Sequence, residues 1–167
     1  DHVTNAISIV SEQSFTNFAG YRFSSIECFI ENGIQNFIAT TNNYAQVNVC
    51  KLNANLGITW KKEINYTPDS CWSYYWNKIT VEGSKIYICG SRRDNAKGSG
   101  STGGTWRSGM CICLDINGNM VWETKIVSSK YAENASQLLK IGNLLFVIGN
   151  QSAYYNYDNK MQLQYNR

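Results

Sequence analysis

Residues 110–126 read Met110-Cys111-Ile112-Cys113-Leu114-Asp115-Ile116-Asn117-Gly118-Asn119-Met120-Val121-Trp122-Glu123-Thr124-Lys125-Ile126. An apolar run comes first, then Asp-x-Asn-Gly, then a second run that carries a tryptophan. Asp and Asn bond their own backbone, and Gly accepts positive φ, so this phrase predicts two strands joined by a tight turn. The phrase recurs at 47–64. There Val47-Asn48-Val49-Cys50-Lys51-Leu52 leads through Asn53-Ala54-Asn55-Leu56-Gly57 to Ile58-Thr59-Trp60-Lys61. A shortened form occupies 154–165, with Tyr165 in the place of the tryptophan. Recurrence of this kind decides architecture before any single residue does.

A second phrase stands upstream of each. Glu31-Asn32-Gly33 leads into Phe37-Ile38-Ala39, Val81-Glu82-Gly83 into Tyr87-Ile88-Cys89, and Ile141-Gly142-Asn143 into Phe146-Val147-Ile148. Gly33, Gly83 and Gly142 sit where hairpins need positive φ. They are 50 and 59 residues apart, and Trp60 and Trp122 are 62 apart. The repeating unit is strand, Gly turn, strand, loop, strand, Asn/Asp/Gly turn, strand, which is the anatomy of a β-propeller blade. The expected fold is all-β: about three blades of four antiparallel strands, at 22–64, 75–126 and 137–166, in one domain or fragment. Residues 1–20 add one short strand, Ala6–Val10, that reads either as the last strand of a preceding blade or as a closing strand donated to another blade. Ser129–Lys140 reads as a loop entering a strand at Leu138. Propellers close with four to eight blades. Three units therefore predict a segment of a longer propeller, an open stack, or a ring completed by oligomerisation.

Composition narrows the function classes. Net charge is +3 and only 16% of residues are charged. That argues against a disordered tail and against a nucleic-acid groove. No stretch of 18 apolar residues exists, so no helical membrane span is expected. The first residue is Asp1, which fits a processed piece. The six cysteines are Cys28, Cys50, Cys71, Cys89, Cys111 and Cys113, with no C-x-x-C pair, and the one histidine is His2. A zinc site is not expected. Cys89 and Cys111 lie opposite each other if the 92–108 loop closes a hairpin, and they form the one disulfide candidate. Buried free thiols are the alternative. Three sequons, at Asn65, Asn134 and Asn150, fall in expected loops or strand ends and are glycosylation candidates. Together these features predict a secreted or cell-surface protein.

Equal placement of Trp60 and Trp122 in successive units predicts packing between blades. The aromatics without repeat counterparts are the candidates for ligand contact. The insertion at 92–108 is glycine-rich, lacks the phosphate-loop pattern, and is flanked by Arg92, Arg93, Trp106 and Arg107. With Trp72 and Trp76 these are the expected ligand-binding residues, for a glycan or a protein. Asp115 to Glu123 lacks the spacing of a calcium loop. No Ser-His pair or carboxylate pair stands out, so no catalytic residue, metal or cofactor is expected.

The phrases resemble bacterial β-propeller repeats of the type K-L-D-x-N-G-x-x-x-W-x-K, most closely at Cys113–Trp122 and next at Lys51–Lys62. Such repeats occur in extracellular surface proteins and adhesins, and similar phrases occur in quinoprotein propellers and in protist surface proteins. The resemblance implies a non-catalytic extracellular module serving adhesion, glycan or protein binding, or structural assembly, with partners at loops or exposed blade edges. A fragment of a quinoprotein or glycoside-hydrolase propeller is the alternative. The Ala-x-x-x-x-Gly core of quinoprotein repeats is not evident, and the calcium-ligating and quinone-stacking residues of the dehydrogenases have no counterpart position here.

Overall fold

The computed structural model describes residues 22–43, 46–64, 71–94, 106–126, 131–153 and 160–166. Among them every regular element is a β-strand. The first sheet holds β1 (Arg22–Glu31), β2 (Ile34–Asn43), β3 (Gln46–Leu52) and β4 (Ile58–Ile64). The second holds β5 (Cys71–Glu82), β6 (Lys85–Asp94), β7 (Trp106–Asp115) and β8 (Met120–Ile126). The third holds β9 (Tyr131–Ile141), β10 (Leu144–Ala153) and β11 (Lys160–Asn166). Each sheet is an antiparallel meander in chain order, with four, four and three strands.

The turns explain the meander. Asp115 Oδ1 accepts from the backbone N–H of Asn117 at 2.9 Å and of Asn119 at 2.8 Å, while Asn119 Nδ2 donates to Asp115 Oδ2 at 2.9 Å. Asn53 Oδ1 does the same work one sheet earlier, accepting from Asn55 at 3.0 Å and Gly57 at 2.9 Å. Both turns place one residue at positive φ, Gly118 at 82° and Leu56 at 60°. The Asp115 carboxylate is thus spent on its own loop. Those bonds from Asn119 and Asn117, with Lys85 nearby, hold its pKa below the ordinary carboxylate value.

Alternation along the strands gives each sheet two faces. The leading face packs on the preceding sheet and the trailing face receives the next. Ile38, Val49 and Trp60 on the trailing face of the first sheet meet Ile79, Ile86, Ile88, Met110, Ile112 and Leu114 of the second. Tyr87, Cys89, Cys111 and Trp122 on the trailing face of the second meet Ala135, Leu138, Leu145 and Val147 of the third. The strand β5 touches β1 and β2 on one side and β9 on the other. Trp60 keys the first junction: its Nε1 donates to the Ile116 carbonyl at 3.2 Å, and its ring lies over Gly118. Trp122 sits in the second junction with its centroid 6.2 Å from that of Tyr87. Both tryptophans are therefore inter-sheet packing residues, as their equal placement predicts.

Three features differ from the sequence reading. First, the hairpin residues of positive φ are Asn32 and Gly33, then Gly83 alone, then Gly142 alone. Asn32, not Gly33, stands where Gly83 and Gly142 stand. The alignment slips by one residue, and such a slip exchanges faces. Phe37 consequently faces away from the second sheet, while Tyr87 faces the third. Second, β5 and β9 begin at Cys71 and Tyr131, earlier than 75 and 137. Each first strand carries a β-bulge, at Ser24, Asn77 and Ser136. The extra residue breaks the alternation, so the half upstream of it does not read as strand. Third, Tyr165 pairs with Phe146 on β11, the third strand of its sheet. It is not the counterpart of Trp60 on a fourth. Ala6–Val10 and Asn65 lie outside the described residues.

A candidate binding end on the second sheet

The bulges order the sheet ends. Opposite the bulge at Asn77 stands Gly90, and a Cβ there would overlap the Tyr75 carbonyl oxygen. Gly149 stands opposite the bulge at Ser136 and meets the Asn134 carbonyl oxygen in the same way. Asn77 Nδ2 crosses to the third sheet, donating to Asn134 Oδ1 at 2.8 Å and to the Ala135 carbonyl at 2.7 Å. Ser136 Oγ donates to the Ile148 carbonyl at 3.2 Å. Beyond the Asn77 bulge, β5 runs on beside the ends of β6 and β7.

That end gathers most of the expected ligand residues. Arg92 pairs with Tyr74 on one side and Ser108 on the other; Arg93 pairs with Ser73 and Arg107; Asp94 pairs with Cys71 and Trp106. Trp72 lies at a second register shift, between Cys71 and Ser73. Three arginines and two tryptophans therefore fall within three successive rungs, on neighbouring strands about 4.8 Å apart. Arg93 directly opposite Arg107 is an unfavourable like-charge pairing for a sheet. The only carboxylate on these rungs is Asp94.

Trp76 does not belong to that end. It is 1% exposed and packs in the core between the first and second sheets. Its ring is closed to any ligand arriving from solvent. The sequence could not show this, because Trp76 follows three other aromatics and precedes a bulge. The reverse was also hidden: Tyr74 and Ser73 enter the cluster only through the register.

The remaining candidates separate. Cys89 and Cys111 do face each other across β6 and β7, but both are free thiols, as are Cys28, Cys50 and Cys113. Cys89 Sγ instead donates to the Ala135 carbonyl at 3.6 Å, so the two thiols serve as small apolar groups in the second junction. Burial pushes Cys50 up to about 11 and Cys89 to about 12, and raises Cys111 and Cys113 as well. The folded state holds these protons more tightly than the unfolded chain. Their contribution to stability is therefore expected to be level below pH 9 and to fall as pH rises from 9 towards 12. Urea melts at pH 8, 9 and 10 check this, and a flat series would contradict the burial. Asn134 is inside β9, half-buried, and its Oδ1 accepts from Asn77 Nδ2. Asn150 lies on β10 opposite Asn134.

No helix among the described residues is long and apolar enough to cross a membrane. No protein-family model matches this chain, and no curated protein matches it either.

Proposed function

We propose that this chain is a run of β-propeller blades that works by binding, at a secreted or cell-surface location, and has no catalytic centre of its own. The observation that carries the reading is the cross-strand pairing of Arg93 with Arg107 at one end of the second sheet, with Trp72 at a register shift of the neighbouring strand and with Arg92 and Trp106 on adjoining rungs that alternation assigns to the opposite face. Guanidinium groups recognise carboxylate and sulfate with two parallel hydrogen bonds, and indoles stack on sugar faces. The set suits an anionic glycan or an acidic protein loop. The enzyme alternatives lack support there: glycoside hydrolysis needs two carboxylates flanking the bond, and these rungs hold one.

The test is a glycan array with neutral, sialylated and sulfated members. Retention of acidic members is expected, falling at least tenfold in Arg93→Ala and in Arg107→Ala and weakening with salt. Equal retention by both variants would remove this end from consideration. Turnover of a glycan, rather than its retention, would move the protein to the enzymes.

A further inference from the structure

The two ends of the stack carry faces built like the two junctions inside it. The bulges align the first strands, so Ile26, Ile79 and Leu138 are equivalent, each two residues after its bulge. Ile79 is 0% exposed and Leu138 7%, each pressed against the preceding sheet, whereas Ile26 is 57% exposed. Ile30, on the same leading face, is 66% exposed. Beside Ile26 lies an open apolar hollow of about 360 Å³ lined by Phe23, Ser24, Ser25, Ile26, Leu52 and Leu56. The first sheet thus keeps the apolar residues of a covered leading face. At the other end of the stack, the trailing face of the third sheet exposes Leu139 (50%), Ile141 (56%) and Leu144 (48%).

We infer that these two faces are partners, and that a second copy of this chain docks head to tail, its third sheet on the first sheet of its neighbour. The inference rests on reading the sheets as successive blades. Both junctions within the chain join a trailing to a leading face, so this contact continues an interface already made twice. The turn also sets the first sheet's leading face apart from the second's. Where the second sheet offers bare Gly118 to an incoming Trp60, the first sheet offers Leu56, which fills that place itself. A sheet bringing a tryptophan on its fourth strand would collide there. Mutual docking of two copies would use both faces twice and gather six sheets, within the range of closed propellers.

Sedimentation of the full chain from low to high micromolar concentration tests the inference. A dimer of twice the 18.9 kDa chain is expected. Ile26→Lys, on the leading face, and Leu139→Lys, on the trailing face, should each weaken dimerisation at least tenfold; Ile30→Lys provides a second leading-face variant. Mixing the Ile26→Lys and Leu139→Lys chains should restore a dimer, because each variant keeps the face the other has lost. A chain that stays monomeric at all concentrations overturns the inference and leaves the face to some other sheet. Loss of association in the Ile26→Lys chain alone, with Leu139→Lys unaffected, overturns it too, because it indicates a contact of like faces. The blade reading is judged separately by hydrogen exchange: slow exchange in β3, β6 and β7 of a monomeric chain sustains it, and fast exchange there sinks both.

Discussion

Gly90→Ala is expected to cost at least about 3 kcal/mol, enough to lower the melting temperature by roughly 10 °C. The added Cβ would overlap the Tyr75 carbonyl oxygen and sit 2.9 Å from the Trp76 Cα. Both obstacles are backbone, so no rotamer change relieves them. The chain would have to open the bulge at Asn77, and with it the bonds from Asn77 to Asn134 and Ala135 that tie the second sheet to the third. Gly149→Ala meets the Asn134 carbonyl and should behave alike. Gly33→Ala is the control. It meets nothing within 4 Å and pays only for its φ of +77°, about 1 kcal/mol. Thermal melts of the three variants decide the matter. If Gly90→Ala melts no lower than Gly33→Ala, the close approach at the bulge is wrong.

The second large effect belongs to Trp76. Truncation to alanine in a closed core is expected to cost about 3–5 kcal/mol. Trp76→Phe should behave quite differently. The Trp76 Nε1 is buried and has no hydrogen-bond partner. An unmet buried donor of this kind costs about 1–3 kcal/mol, and phenylalanine removes it while keeping most of the ring. The lost volume and the relieved donor oppose each other, so Trp76→Phe should lie within about 1 kcal/mol of the parent. Urea unfolding of both variants separates ring packing from the indole N–H. A Phe variant as damaged as the Ala variant would mean that the indole N–H has an acceptor after all.

Much of this fold is legible in the chain because its turns are chemically explicit. Asp115 and Asn53 anchor their loops through side-chain oxygens, and the runs on either side alternate cleanly. What stays hidden is register. Asn32 adopts the left-handed conformation that Gly83 and Gly142 adopt elsewhere, and a reading that trusts glycine alone places Phe37 on the wrong face. The bulges at Ser24, Asn77 and Ser136 likewise erase the two-residue period in the first strands. The candidate binding end shows the same limits. Arg92, Arg93, Trp106 and Arg107 flank one loop and are found together in sequence. Trp72 joins them, and Trp76 leaves them, only because of how β5 pairs with β6.

The difference between Leu56 and Gly118 bears on how such a chain could be rearranged. Repeats that look alike invite the idea that they are exchangeable, so that a duplicated or permuted gene could list them in any order. Here one turn position forbids it. With the second unit placed ahead of the first, Trp122 would arrive at Leu56 instead of a glycine, and the indole would have no seat. The first and second units each carry at the third turn a mark of which neighbour they accept, and the order of those two is written in that mark.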